Sequence, residues 1–249
     1  MIIIKTEEQI AKMRDAGKIV AEVLALLEEQ VRPGISTYEL DQIAEKHILA
    51  ANAVPTFKGY GGFPAAICAS INEEVVHGIP RPDRVLHEGD IISVDVGATF
   101  RGYVGDAART FPVGDITPEN ARLIEVTKES FFAGLQKAVA GNRLGDISHA
   151  VQKHVERHGY SVIRDLVGHG VGENMHEDPS VPNYGKSGRG IRLAAGLVLA
   201  VEPMVAAGHY AIKQLSDNWT YVTKDGSMTA HYENTFAIHK GEAEILTRL

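Results

Sequence analysis

One offset recurs along this chain and limits what it can fold into. Thr117-Pro118-Glu119 repeats Thr6-Glu7-Glu8 at a distance of 111 residues (117 − 6 = 111). "NRLGDIS" at 142–148 follows "VRPGIST" at 31–37 at the same distance, and Leu40 matches Val151. A constant offset through two helical patterns and the joint between them signals an internal duplication. Two similar halves related by a pseudo-twofold must then bury their apolar faces together.

The elements of each half can be read from periodicity. Thr6 caps a first helix with acidic residues in its first turn, and Ile10, Met13, Ile19, Val20, Val23, Leu24 and Leu27 recur at helical spacing. Arg32-Pro33-Gly34 ends it, and Ser36 or Thr37 caps a second helix with Leu40, Ile43, Ala44 and His47 on one face. In the second half Pro118 sits at a first helical position, Leu123, Ile124, Val126, Phe131, Leu135 and Val139 follow, and Val151 and Val155 mark the next helix. The strands repeat with drifting offsets. "GDIISVD" ends at Asp95 and "GLVLAVE" at Glu202 (202 − 95 = 107), while "HGIP" at 77 answers "HEDP" at 176 (176 − 77 = 99). Loop lengths therefore differ between halves of about 1–114 and 115–249. The expectation is one domain of α+β class, with helices on one face of a curved, mostly antiparallel sheet.

Composition removes several function classes. A net charge of −7 argues against a general nucleic-acid grip. The single cysteine, Cys68, builds neither a disulfide framework nor a thiolate metal cluster, which fits a reducing cytoplasm. No run reaches the roughly 18 apolar residues of a membrane span, and "MIIIKTEEQI" is too briefly apolar for a signal peptide.

Chemistry concentrates in "ISVDVGATFRGYVGDAART", residues 92–110. A hairpin turning near Phe100–Gly102 places Asp95 and Asp106 opposite or diagonal, with Cβ atoms about 4.5–5.5 Å apart if opposed. Two like charges in a partly buried site repel by several kcal/mol. Glu202 in "GLVLAVEPM" and Glu233 in a last hairpin, "GSMTAHYENTFAI", raise the number of acids to four. Two divalent cations would neutralise them, and carboxylates are hard oxygen ligands. His169, between two glycines in "VGHGVGENMHEDP", supplies a nitrogen donor, since glycine lets backbone approach closely. His176 and His77 are linked by the repeat. His231, beside Glu233, stays open; His47, His87, His149, His158, His209 and His239 are read as structural or exposed. An oxygen-rich site with one imidazole suits Mn²⁺, Fe²⁺ or Co²⁺ better than structural zinc.

"SINEEVVHGIP", "DVGATFRGYVGDAART", "GHGVGENMHEDP", "AVEPM" and "MTAHYENTFAI" resemble, in this order, the motifs of type I methionine aminopeptidases, which have a duplicated pita-bread fold. The resemblance covers nearly the whole chain. It implies five metal ligands: Asp106 and Glu233 bridging two divalent ions, Asp95 completing one, His169 and Glu202 the other. It further implies a monovalent cation near Asn72. Two close metals lower the pKa of a shared water to about 7 for attack on the first peptide bond. His176 would stabilise the oxyanion, His77 would stand by the scissile amide, and Glu202 would move the proton to the leaving amine. The methionine pocket implied is Phe57, Tyr60, Phe63, Cys68, Met175 and Trp219, with His77 and His176 at its wall. Phe57 and Met175 depart from the Cys and Phe usual in relatives. The implied activity is removal of initiator methionine before a small second residue, by a cytoplasmic monomer acting on nascent chains near the ribosome. Alternatives are a proline-directed peptidase of the same fold, which usually carries a large N-terminal domain, and a non-catalytic peptide-binding module, which would lack ligands.

Overall fold

The computed structural model describes residues 1–249. Four helices are set by their caps. Helix α1 (Glu7–Gln30) starts from a capping box, Thr6 with Gln9, and α2 (Thr37–Ala50) from Ser36 with Glu39. Helix α3 (Pro118–Leu135) is capped by the Thr117 hydroxyl, and at α4 (Leu144–Arg157) the Asp146 carboxylate accepts from the Arg143 amide at 2.8 Å.

The duplication is present, but its register differs from the sequence expectation. The N-caps of α2 and α4 are Ser36 and Arg143, 107 residues apart (143 − 36). Each forms an isolated bridge, to Val85 and Arg192, again 107 apart (192 − 85). The second half has thus already lost four residues before its second helix. Leu40, Ala44 and Ile48 correspond to Ile147, Val151 and Val155, and all six are fully buried. The match of Leu40 to Val151 was one helical turn out.

The first half continues as β1 (Val54–Pro55), β2 (Ile67–Ile71), β3 (Glu74–Val76), β4 (Ile91–Phe100) and β5 (Tyr103–Pro112). The second adds β6 (Ser161–Val162), β7 (Gly168–Gly170), β8 (Glu177–Val181), β9 (Val198–Val201), β10 (Met204–Ala206), β11 (Ile212–Gln214), β12 (Tyr221–Thr223), β13 (Thr229–His231), β14 (Asn234–Ala237) and β15 (Glu244–Ile245). Every strand pair is antiparallel. Strand β4 carries β5 on one side and β1 and β2 along the other; the second half builds the order β15-β14-β9-β7-β8. Helix α1 packs on β4 and β5, and α3 on β10 and β13, giving the α+β layering expected.

Strands β4 and β5 form the expected hairpin, turning between Phe100 and Tyr103. One strand expectation needs correction. "GSMTAHYENTFAI" is not a hairpin but one chain that crosses two sheets, as β13 on β10 and then β14 on β9. The partner ribbon breaks at the matching place, Glu202-Pro203, where proline has no amide to donate.

The halves meet where β5 runs beside this broken ribbon. The Glu233 amide donates to the Ala108 carbonyl at 2.9 Å. On either side a threonine hydroxyl stands in for a ladder bond. Thr235 Oγ1 accepts from the Asp106 amide (3.1 Å) and donates to its carbonyl (2.8 Å). Thr110 Oγ1 does the same for His231, at 2.8 and 2.9 Å.

Helix α1 approaches β5 through two glycines. A Cβ on Gly105 would meet the Gly17 amide at 2.7 Å, and one on Gly17 would overlap the Leu246 carbonyl. In an open helix Gly17→Ala would stabilise by about 0.8–1 kcal/mol. Overlap with backbone costs roughly 1–3 kcal/mol, so the variant is expected to be net destabilised. Its melting temperature should fall by a few degrees; a rise would show that the main chain at Leu246 can yield to the added methyl.

Candidate metal centre

The register of β4 and β5 sets the first two acids. Asp95 faces Ala108 and Asp106 faces Gly97, so the carboxylates are diagonal neighbours on one face of the ribbon. The breaks in the second ribbon add Glu202 and Glu233, immediately after β9 and immediately before β14. His169 comes from β7 at an irregularity of the β7–β8 register and pairs with Ala200, two residues from Glu202. Its Nδ1 bonds the Gly170 carbonyl at 3.0 Å, which makes Nδ1 the protonated nitrogen. Its Nε2 faces Asp106 Oδ2 and Glu202 Oε1, each at 3.6 Å. All five residues named above as metal ligands therefore converge.

The electrostatics of the cluster demand counter-charge. Asp106 and Glu233 are 3% and 2% exposed. Burial first, and then the neighbouring acids, push the carboxyls of Asp95, Glu202 and Glu233 well above the ordinary range; burial does the same to Asp106. The same burial depresses His169 to about 4 and His231 to about 3. The charge of half-buried Arg109 reaches Glu233, yet its guanidinium donates to the carbonyls of Ala108 and Glu233 (2.8 and 2.5 Å) and to Asn234 Oδ1 (2.7 Å) rather than to a carboxylate. One arginine bound to main chain cannot balance four acids. Asp95 Oδ1, Asp106 Oδ1 and Glu233 Oε1 are buried without any hydrogen-bond partner, although nearly all buried polar atoms are paired. Hard oxygen donors with free lone pairs and a neutral imidazole are the donor set of divalent cations, so the residues fit the group.

A pH consequence follows for the metal-free protein. A carboxyl whose folded pKa is raised destabilises the fold as pH rises above its unfolded value, about 4. The depressed histidines act oppositely, but only below about pH 6.5. From about pH 6.5 to 8.5 the carboxyls alone remain, so the melting temperature of chelated protein should fall as pH rises. With divalent cation restored the slope should vanish. A flat chelated profile would mean the acids are not crowded.

A cavity of about 120 Å³ opens beside Asp95. It is lined by that residue and by all eight side chains assigned above to substrate binding. Phe57 lies against Gly97, whose missing Cβ makes room for the ring, and Phe63 meets Trp219 edge-on at 5.1 Å. Tyr60 stands at the mouth, in a loop where Gly59, Gly61 and Gly62 take positive φ. Its hydroxyl bonds His176 Nδ1 at 2.8 Å. Burial lowers the pKa of His176 and of His77, with the His176 charge adding to the effect at His77, so both are neutral near pH 7. Burial raises the Cys68 thiol, and the acids beside it add to this, so it is no thiolate nucleophile. The loop carrying Met175 and His176 is held by a buried ion pair, Lys5 to Glu177 at 2.5 Å.

Sequence reasoning missed Arg109 and Lys5 and left His231 open. The open case had a usable signal. In His231-Tyr232-Glu233 the first and third residues share a face, while Tyr232 turns to the Arg109 guanidinium, 4.2 Å from its ring.

Residues 11–240 match the family model for metallopeptidase family M24. The chain is 63% identical over 247 residues to a methionine aminopeptidase of Clostridium acetobutylicum, covering 99% of each chain. It superposes with a TM-score of 0.99 on the crystal structure of methionine aminopeptidase from Thermotoga maritima, at 46% identity and with both chains fully covered. A prolidase from Pyrococcus furiosus shares the fold, with a TM-score of 0.76 at 21% identity, over 99% of this chain and 66% of that one.

Proposed function

The chain belongs to metallopeptidase family M24, and from that premise we infer that it is an aminopeptidase removing N-terminal methionine, as one catalytic unit of pita-bread fold spanning residues 1–249. The carrying observation is the convergence of four buried acids and an imidazole from both halves, three of their oxygens unpartnered, at the wall of an apolar cavity.

Asp95, Asp106, His169, Glu202 and Glu233 would hold two divalent ions, of Co, Mn or Fe(II) type. Bound there, such ions supply Lewis-acid polarisation and bring the ionisation of water to near neutral pH. The remaining work falls to side chains. The cavity admits an unbranched, polarisable thioether and places the free amino group against the acidic cluster. With the Tyr60 hydroxyl donating to Nδ1, His176 carries its proton on Nε2 and can donate to the oxyanion that develops. His77, across the same cavity, orients the scissile amide. Glu202, ionised beside bound cations, would take a proton from the attacking water and deliver it to the leaving amine.

Finer features of the reading are a small second residue, nascent chains as substrates, a cytoplasmic monomer and docking near the ribosome exit. A monovalent cation near Asn72 is supported by the carbonyls of Asn72 and Glu74, which converge on the Thr229 hydroxyl at 3.0 and 2.9 Å. The decisive assay follows hydrolysis of Met-Gly-Xaa and Xaa-Pro peptides through chelation and metal re-addition. Cleavage of the methionine peptide only after divalent metal returns is the expected outcome. Preferential Xaa-Pro cleavage would favour the proline-directed reading, and inertness with every metal a binding module.

A further inference from the structure

We propose that His231 is an additional ligand of the metal centre and gives it a second imidazole. The inference rests on the metallopeptidase reading above and adds a donor to the five implied by resemblance.

The ring of His231 is 2% exposed, and its Nε2 is buried with no hydrogen-bond partner. That nitrogen lies 3.9 Å from Glu202 Oε2 and 3.8 Å from Glu233 Oε2. Both distances exceed the roughly 2.7–3.2 Å of an N–H···O bond. They resemble the spacing at His169, whose Nε2 stands 3.6 Å from each of its two carboxylate oxygens. Donor atoms sharing one cation at about 2.0–2.2 Å are separated by distances of this order rather than by a hydrogen-bond length. Glu202 is held between the two rings, Oε1 toward His169 and Oε2 toward His231.

The donor atoms form two compact groups, Asp106–His169–Glu233 and Glu202–His231–Glu233, each with its atoms within 4.8 Å of one another. Glu233 is common to both. The placement of His231 does not depend on its ring, because both main-chain polar groups of the residue are bound by the Thr110 hydroxyl. The seam thus delivers the imidazole to the cluster and leaves its nitrogen unpaired, which is unfavourable unless something binds it. A borderline divalent cation is the ligand that would, and a second nitrogen donor tilts the site toward Fe²⁺, Co²⁺ or Zn²⁺ and away from Mn²⁺ and Mg²⁺.

The test uses the full chain loaded with Co²⁺. Proton NMR should show two hyperfine-shifted, solvent-exchangeable imidazole N–H signals in the unaltered protein and one in His231→Gln. Calorimetric titration with Co²⁺ should show one of the two dissociation constants raised by at least about 10–100-fold in that variant. Glutamine keeps an N–H donor, so wild-type affinity in His231→Gln would reduce the ring to a hydrogen-bonding role and overturn the proposal. A single shifted signal in the unaltered protein would overturn it without any variant. His231→Asn repeats the titration should the glutamine variant fold poorly. If the unaltered chain bound no Co²⁺, the parent reading would fall as well; normal binding that is indifferent to residue 231 sinks this proposal alone.

Discussion

Asp106→Asn is expected to lower kcat/KM by about 10³-fold or more while making the metal-free chain more resistant to heat. The loss follows from removing a carboxylate implied to bridge two cations. Transition-state stabilisation worth several kcal/mol depends on that pair, and about 4 kcal/mol is a thousandfold in rate. The gain follows from the cluster's own repulsion. Asp106 is buried among three other acids, and its Oδ1 has no donor. The asparagine amide can donate to Asp95 and carries no charge. Its main chain stays fixed by the Thr235 hydroxyl. Relief of about 1 kcal/mol or more would raise the melting temperature of chelated protein at pH 8 by roughly 2–4 °C. Retained activity would contradict the bridging role, and a lower chelated melting temperature would contradict the crowding argument.

His176→Ala should lower kcat by about 10²–10³-fold, the usual effect of deleting one oxyanion donor. KM for a methionine peptide should change little, and cation content not at all. His176 reaches the cavity from the loop before β8, and its contact with His169 is ring to ring, with centroids 4.3 Å apart. Tyr60→Phe should reproduce a smaller part of the loss, about tenfold, because Nδ1 loses the partner that fixes the tautomer. Unchanged kcat in His176→Ala would reduce that residue to a wall of the pocket. Loss of metal would give it a role in the centre itself.

Much of this was legible because the chain says it twice. Caps at Thr6, Ser36 and Thr117 stand in the sequence as hydroxyl residues ahead of helical patterns, and the structure uses all three. The register of the repeat was not legible. A four-residue deletion shifts a helix by almost one turn, so the apolar stripe stays in phase and Leu40 can be matched to Val151 as readily as to Ile147. The acids were found because carboxylates in apolar strand-like runs are conspicuous. The breaks that carry two of them were not, since a kinked ribbon and a hairpin have similar composition. Lys5 and Arg109 were invisible for another reason: their partners lie 172 and 124 residues away, and nothing local marks such pairs.

The seam between β5 and the broken ribbon has an evolutionary consequence. Each repeat contributes only part of the donor set, and the hydroxyls of Thr110 and Thr235 fasten the parts together. On the proposed ligand assignment neither repeat could be separated and kept as a working hydrolase, so the two halves are mutually indispensable. Diversification is then channelled to the rim, where loops such as 57–63 can change what is bound without disturbing what reacts.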